Sequence, residues 1–273
     1  MGETLNHFIQ RLRVERAANY LIIYPEKTVT EIALICGFSG SASFARSFKD
    51  YYNTSASDWR KKNSKNRKLQ SKIRKNKSKP GNVIDVSSLY ISDTPNKQIW
   101  RIKVKDRSKK MINAEVEVKE LPELTVAYLR HIGPYATNEA LFAEYIEKLF
   151  RWAGPRGLIN FPKTQQLNIY HDDPDVTDEN KLRLSICLTI PPDTETDGEI
   201  GKMKIPGGKY AIARFELGGD QFEAAWNGLY GGWLPDSGYQ PADGYCFEIC
   251  HNNPKEHPEG KHIVDICIPV KPL

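Results

Sequence analysis

The stretch EICHNNPKEHPEGKHIVDICIPVKP, residues 248–272, decides the fold because the chain contains a second version of it. It aligns without gaps, at an offset of 80, with NIYHDDPDVTDENKLRLSICLTIPP at residues 168–192. Eight of the 25 aligned pairs are identical, among them His171 with His251. An internal match of this length predicts that one structural unit occurs twice.

The repeat extends upstream at an offset of 84. Residues 125–150 contain TVAYLR and TNEALFAEYIEKLF, and they match KYAIAR and QFEAAWNGLYGGWL within 209–234. This pairing places Phe142 opposite Trp226. The predicted unit is strand, helix, strand, strand. Two copies imply a pseudo-two-fold arrangement, and the seam between such halves is a common place for a ligand cleft.

One carboxylate stands inside an apolar strand of the second copy. In YCFEIC, strand alternation puts Cys246, Glu248 and Cys250 on one face and the apolar residues between them on the other. A buried carboxylate is costly unless a partner pairs with it, and a flat cationic ligand stacked on aromatic rings would supply that partner. The internal alignment places Asn168 at the matching position, so only one half supplies the charge. Five aromatic side chains could line such a pocket, and each of them could instead be an ordinary core residue. They are Tyr135, Phe142, Tyr170, Trp226 and Trp233.

The charges divide the chain into two unlike halves. The overall charge is +5, but residues 1–112 hold 24 Lys/Arg against 9 Asp/Glu, a net of +15, whereas the remainder holds 15 against 25, a net of −10. A basic half favours a polyanion such as nucleic acid as its partner. Residues 61–81 concentrate this charge, because ten of residues 61–80 are Lys or Arg, and they read as a basic linker. The following residues 82–112 form a connecting segment of uncertain structure, in which VIDVSSLYI and QIWRIKVKD are candidate strands.

Three helices are predicted before the linker, at residues 4–24, at residues 28–36 and from about Ser41 onward. Thr28 and Glu31 form a T-x-x-E capping box at the start of the second helix, and Gly37 permits a tight turn after it. Two helices joined in this way are a helix-turn-helix, whose second helix enters the major groove of double-stranded DNA. The open alternative is an ordinary helical hairpin with solvated charges.

The third helix carries the candidate DNA contacts. Phe44, Ala45 and Phe48 are predicted to lie on its inner face, which turns the polar residues outward. Arg46 is the best base reader because its forked guanidinium matches guanine. The remaining outward residues of the helix, with the serines and the lysine suited to phosphates, are Ser41, Ala42, Ser43 and Lys49.

Residues 4–60 resemble the C-terminal part of the DNA-binding domain of the AraC/XylS family. The resemblance rests on RLRVERAANYL, TVTEIALICGF, SASFARSFKDYY and SDWR in that order. It implies sequence-specific control of transcription, contacts to RNA polymerase, and DNA contacts from Ser41, Ala42, Ser43 and Arg46. The family has two helix-turn-helix units, and we expect the first of them to be missing here, since MGETLNHF reads as its tail. Asn53 also departs from the glycine usual in the family.

The C-terminal half resembles the GyrI-like effector-binding domain found in Rob-type regulators. The resemblance rests on the duplicated unit, on RHIGPY from Arg130, on WLPDSGY from Trp233 and on FEI around Glu248. It implies a small-molecule effector, cationic or aromatic, with the glutamate as a ligand contact. The alternatives within this resemblance are a GyrI-like small-molecule hydrolase, in which Glu248 acts as a general base, and a protein-binding modulator of the gyrase-inhibitor type.

These observations predict a multidomain regulator. An all-α helix-turn-helix domain (residues 1–60, partial) and the linker would precede an α+β domain (113–273) with the duplicated β-α-β-β unit. The chain shows no secretory signal and no membrane-spanning run, so we expect a cytoplasmic protein without a membrane partner. Five scattered cysteines are predicted to be free thiols. The spacing of His and Cys residues predicts no metal, no motif indicates a cofactor, and no catalytic motif indicates an enzyme.

Overall fold

The computed structural model describes residues 4–63, 99–106, 110–136 and 138–273. They separate into two compact units. The helical unit combines residues 4–63 with Asp172–Asp178, and the sheet unit contains the described residues from 99 to 171 and from 179 to 273. None of the helices in the described part of the chain offers an apolar stretch long enough to cross a bilayer.

The helical unit contains α1 (Leu5–Ile23), α2 (Val29–Ile35), α3 (Ser41–Tyr52) and α4 (56–63). The predicted capping box is confirmed at Thr28, whose hydroxyl accepts from the Glu31 backbone N–H at 3.1 Å while the Glu31 carboxylate accepts from the Thr28 N–H at 2.6 Å. Gly37 adopts φ +84° between α2 and α3, a conformation that L side chains rarely adopt. The predicted helix-turn-helix is therefore present.

Two phenylalanines hold α3 against the other helices. Phe44 and Phe48 are fully buried, with ring centroids 5.3 Å apart. Ala45, which was predicted to share this inner face, is exposed instead, because the helical turn rotates it past the buried stripe. Beneath α3, the Tyr51 hydroxyl donates at 2.7 Å to Glu15, and Arg11 pairs with the same carboxylate at 3.2 Å.

The sheet unit is built on antiparallel strands. Their order across the sheet is β1, β2, β7, β10, β9, β4, β5, β3, β6, and β8 pairs with β10 at one end. The bounds of the ten strands are β1 Ile99–Lys105, β2 Met111–Leu121, β3 Leu124–Ile132, β4 Gln166–Tyr170, β5 Arg183–Thr189, β6 Gly201–Ile205, β7 Gly208–Leu217, β8 Tyr239–Pro241, β9 Cys246–Cys250 and β10 His262–Pro272.

Two helices complete the duplicated unit. The first repeat is β3, α5 (Glu139–Ala153), β4 and β5, and the second is β7, α6 (Phe222–Asn227), β9 and β10. After α6 the chain continues through tighter and wider helical turns to Asp236. The predicted strand-helix-strand-strand order is thus confirmed in both copies.

The seam between the repeats is the pairing of β4 with β9. Asn168 lies directly opposite Glu248, and these are the two positions that the internal alignment makes equivalent. An antiparallel pair in which equivalent residues face each other has the pseudo-two-fold axis running through it. The backbone repeats the same symmetry farther out, where the N–H of His171 donates to Arg183 and the N–H of His251 donates to Ile263.

The sheet buries side chains on both faces. On the helix-bearing face, Ile186 and Leu188 pack under α5, and Ile266 and Phe215 pack under α6 and β1. The opposite face carries a separate cluster whose fully buried members include Phe247, Ile169 and Leu167. Because successive residues of a strand point to opposite faces, Glu248 lies on the helix-bearing face.

The sheet begins before residue 113, the start that the sequence suggests for the C-terminal domain. The alternating run IWRIKVK forms β1 and pairs with β2, which in turn pairs with β7. Trp100 and Val104 belong to the main core of the sheet unit. Most of the predicted basic linker and the candidate strand VIDVSSLYI lie outside the described residues.

Candidate functional site

Glu248 is a buried carboxylate held by neutral donors. Its side chain is 1% exposed. The Trp226 indole N–H donates to Oε1 at 2.8 Å, and the Tyr170 hydroxyl donates to Oε2 at 2.8 Å. Asn168 Nδ2 lies 3.4 Å from Oε2. Two of the aromatic residues proposed from the sequence, Tyr170 and Trp226, therefore contact this carboxylate directly.

The charge of Glu248 has no cationic partner in the described part of the chain. Burial raises the pKa of Glu248 above its usual range, and the hydrogen bonds from Trp226, Tyr170 and Asn168 offset this only in part. Burial and the neighbouring carboxylate also raise the pKa of Tyr170 well above that of a free phenol, so its hydroxyl remains a donor. A cation placed beside Glu248 would relieve the desolvated charge.

Aromatic rings surround the carboxylate on the side of the helices. The rings of Tyr170 and Trp226 meet edge to face with centroids 5.6 Å apart. Tyr135 lies 5.6 Å from Tyr170, and Tyr230 stacks on Trp226 at 6.2 Å. All four rings are only half-buried, whereas the carboxylate is buried. The group thus presents aromatic surface outward and negative charge inward.

The remaining predicted wall residues divide between the site and the core. Phe142 packs in the cluster under α5 that also contains Tyr135 and Tyr170. Trp233 is not brought to Glu248: it is 1% exposed and packs on Trp100 with ring centroids 5.5 Å apart. The turns after α6 direct Trp233 into the core of the sheet unit, so it is not a wall of this site.

Two residues of the site, Asn168 and Tyr230, were absent from the predicted site residues. Asn168 Oδ1 is buried and finds no hydrogen-bond partner among the described residues, which leaves an acceptor beside the carboxylate. The internal alignment signalled this position by pairing Asn168 with Glu248.

Cys246 and Cys250 flank Glu248 on the same face as predicted, and the Tyr230 hydroxyl lies 2.9 Å from Cys246 Sγ. No disulfide joins any of the five cysteines, all of which lie in the described part of the chain.

The outer face of α3 carries the predicted DNA contacts. Ser41, Ala42, Arg46 and Lys49 are exposed. Arg46 forms no ion pair among the described residues, and its Nε lies 3.4 Å from the carbonyl oxygen of Ala42. Ser43 is half-buried and donates its hydroxyl to the carbonyl of Gly40 at 2.9 Å, so it is less available than the other four.

Two family models match the chain. The GyrI-like small molecule binding domain matches residues 114–271, and a helix-turn-helix domain of the AraC type matches residues 1–62. The first match covers more than half of the chain and contains the whole Glu248 site.

Several curated proteins are similar to the C-terminal region. DNA gyrase inhibitor 2 of Dickeya dadantii (strain 3937) is 34% identical over 130 residues, which is 46% of this chain and 78% of that protein. The DNA gyrase inhibitor of Escherichia coli (strain K12) is 30% identical over 161 residues, covering 57% of this chain and 96% of that protein.

Among solved structures, the cryo-electron microscopy structure of an EcmrR–DNA complex superimposes with a TM-score of 0.50 at 19% identity. The match covers 59% of this chain and 58% of that one, and it supports the fold alone. The helical unit and the duplicated unit of the sheet coincide with the regions that the two family models match. The chain belongs to the GyrI-like family, and its combination with an AraC-type helix-turn-helix marks a ligand-sensing, DNA-binding regulator.

Proposed function

We propose that the GyrI-like domain senses a small cationic aromatic ligand whose positive group pairs with Glu248. The observation that carries this proposal is a buried carboxylate whose hydrogen-bond partners among the described residues are all neutral. Such a charge is costly to keep in a protein interior, and a bound cation offsets that cost. A cationic ligand would therefore supply the charge pair that Glu248 does not find among the described residues.

The neighbouring groups define the ligand further. The half-buried rings of Tyr135, Tyr170 and Trp226 offer faces for stacking and for cation–π contact. The unpartnered Asn168 Oδ1 adds a second acceptor, which favours a cation that carries N–H donors. An aromatic amine, amidine or guanidine fits these features better than a quaternary ammonium.

A panel of cationic aromatic compounds tests the ligand proposal. Thermal unfolding of the wild type should shift upward with selected members, and the shift should fall strongly in Glu248→Gln. Glu195 provides a matched control because its side chain is exposed. Glu195→Gln removes the same charge from a solvated position. A panel that stabilises the wild type and Glu248→Gln equally would contradict the proposal.

The helical unit is proposed to read DNA through α3, with Arg46 on a base edge and Lys49 on phosphate. Arg46→Ala should reduce discrimination between the preferred site and random DNA, since one bidentate base contact is worth about 1–3 kcal/mol. Lys49→Ala should weaken binding to all sequences alike and reduce the salt slope by about one. Equal discrimination by wild type and Arg46→Ala would remove Arg46 as a base reader. A cytoplasmic site of action and contacts to RNA polymerase stay predictions.

A second candidate is a protein-binding modulator, because the curated relatives at 30–34% identity are DNA gyrase inhibitors. The helix-turn-helix match at residues 1–62 favours the regulator. Purified gyrase supercoiling assays separate the two: a regulator leaves supercoiling unchanged at concentrations that saturate its DNA site. We also propose that Glu248 serves binding rather than hydrolysis, which predicts that bound ligand is recovered intact.

A further inference from the structure

The helical unit contains a short segment that the sequence places inside the C-terminal half. Asp172–Asp178 lie between β4 and β5, and they group with residues 4–63 rather than with the sheet. The chain therefore leaves the sheet unit after His171 and re-enters it at Glu179. Since Tyr170 belongs to the proposed ligand site, only one residue separates that site from the helical unit along the chain.

Val176 anchors this segment in the core of the helical unit. It is 7% exposed and belongs to the same apolar cluster as Phe48 of α3. The hydroxyl of Tyr52, the last residue of α3, donates to the Val176 carbonyl oxygen at 2.9 Å. Burial and the carboxylates of Glu15 and Asp173 raise the pKa of Tyr52, so its hydroxyl remains a donor at neutral pH. The segment thus holds the end of the helix that carries the proposed DNA contacts.

The second repeat builds the same turn with a charged residue at the anchor position. Each turn closes on a side chain that accepts from the backbone N–H two residues later, Asp173 at 2.9 Å in the first repeat and Asn253 at 3.1 Å in the second. The internal alignment places Glu256, which is exposed, at the position of Val176. Only the first of these two turns therefore carries an apolar side chain suited to the core of the helical unit.

We propose that Asp172–Asp178 couple ligand binding at Glu248 to the position of α3, an inference that rests on the proposed ligand site. A ligand that pairs with Glu248 alters the hydrogen bond from Tyr170 to the carboxylate, and Tyr170 ends the strand that leads into the segment. Val176 passes the displacement to α3 through its buried side chain and its bond from Tyr52. Because coupling between two binding sites is reciprocal, ligand and DNA change each other's affinity by the same factor.

The reciprocal direction of this coupling is measured with DNA alone. The probe is the duplex that the wild type selects from a random pool, and fluorescence anisotropy measures its binding to the full chain. The reporter is the indole N–H of Trp226, which donates to Glu248 at 2.8 Å. The chain has five tryptophans, so proton–nitrogen correlation NMR resolves their indole signals, and Trp226→Phe assigns this one. Saturating DNA should shift the Trp226 signal. The indole signal of Trp152, which donates to Asp197 at the end of α5, should stay in place.

Tyr52→Phe removes the bond to Val176 and keeps the ring against Trp59, whose centroid lies 4.3 Å away. At saturating DNA this variant should show a smaller shift of the reporter signal than the wild type. Tyr20→Phe is the matched control, because it removes from the same unit a hydroxyl that accepts from Arg16. It should leave the shift unchanged.

Val176→Glu introduces the charge that the second repeat has at this position, and it should abolish the shift. Circular dichroism verifies that each variant folds, and Tyr52→Phe decides the matter if Val176→Glu does not fold. Saturation of the wild type by DNA without a shift of Trp226, or an equal shift in Tyr52→Phe, would overturn the coupling.

The same measurements separate this proposal from the functions on which it rests. No binding of any duplex by the wild type would overturn both the coupling and the proposed DNA contacts. A DNA-dependent shift of Trp226 that Tyr52→Phe reduces, in a protein that no cationic compound stabilises, would support the coupling and contradict the proposed ligand.

Discussion

Replacing Glu248 by glutamine should stabilise the sheet unit at neutral pH. The substitution keeps the shape of the side chain and removes the buried charge. Trp226 can still donate to the amide oxygen, while the Tyr170 hydroxyl can turn to accept from the amide nitrogen. The two close hydrogen bonds to neutral donors thus survive in altered form.

The expected change in the free energy of unfolding is the difference between two opposing contributions. Desolvating the carboxylate costs several kcal/mol, and two hydrogen bonds to a charged group return about 1.5–3 kcal/mol each. The raised pKa of Glu248 shows that the desolvation cost exceeds this return. We therefore expect Glu248→Gln to raise the free energy of unfolding by about 1–2 kcal/mol at pH 7, and the Tm of a unit of this size by a few degrees.

The pH dependence gives the sharper signature. A carboxyl group whose pKa is raised by folding binds its proton more tightly in the folded state, so stability falls as pH rises from about 4.3 through the folded pKa. The wild type should lose stability over that interval relative to Glu248→Gln, whose curve lacks this component. Calorimetric unfolding from pH 4.5 to 8, with Glu195→Gln as the control, measures the difference. Lower stability of Glu248→Gln at pH 7, or a difference that stays constant with pH, would mean that the buried charge of Glu248 does not destabilise the folded state.

Three other substitutions test the fold around the two sites. Phe44→Ala should destabilise the helical unit by about 3–5 kcal/mol and abolish DNA binding, because it empties the core that orients α3; chemical denaturation followed by circular dichroism measures this. Thr28→Ala should cost that unit about 1 kcal/mol in the same assay, since it removes the cap of α2. Asp265→Asn should destabilise the sheet unit by about 1–3 kcal/mol at pH 7, a range reduced because its ion-pair partner Arg214 is partly exposed. That loss should shrink as pH falls from about 4 toward 2, because a lowered pKa gives stability that is present only above it.

The sequence alone predicted much of the architecture, because repeats and helix caps are local signals. The gapless match of 168–192 with 248–272 anticipated both copies of the unit and the equivalence of Asn168 with Glu248. That these two residues face each other across β4 and β9 required the structure. Strand alternation in YCFEIC correctly placed Glu248 on one face with two cysteines. The capping box at Thr28 fixed the start of α2 to within a residue.

The errors concern contacts that depend on tertiary geometry. The sequence places Trp233 shortly after the second helix of the repeat, and only the path of the turns after α6 shows that it points into the core. The sequence left the structure of residues 82–112 uncertain, although β1 lies within them. The reason is that the buried side chains of β1 pack on β2 and on elements far away in the sequence.

Isothermal titration tests most directly whether the uncompensated charge of Glu248 binds a cation. The titrant is a compound from the panel that raises the Tm of the wild type. Titrations at pH 6 and pH 8, each in two buffers of different ionisation enthalpy, report protons released on binding. Binding should release protons at the lower pH, and the affinity should rise with pH. Glu248→Gln should bind at least about tenfold more weakly and without this proton release. Equal affinity for wild type and Glu248→Gln, with no proton release in either, would contradict this prediction.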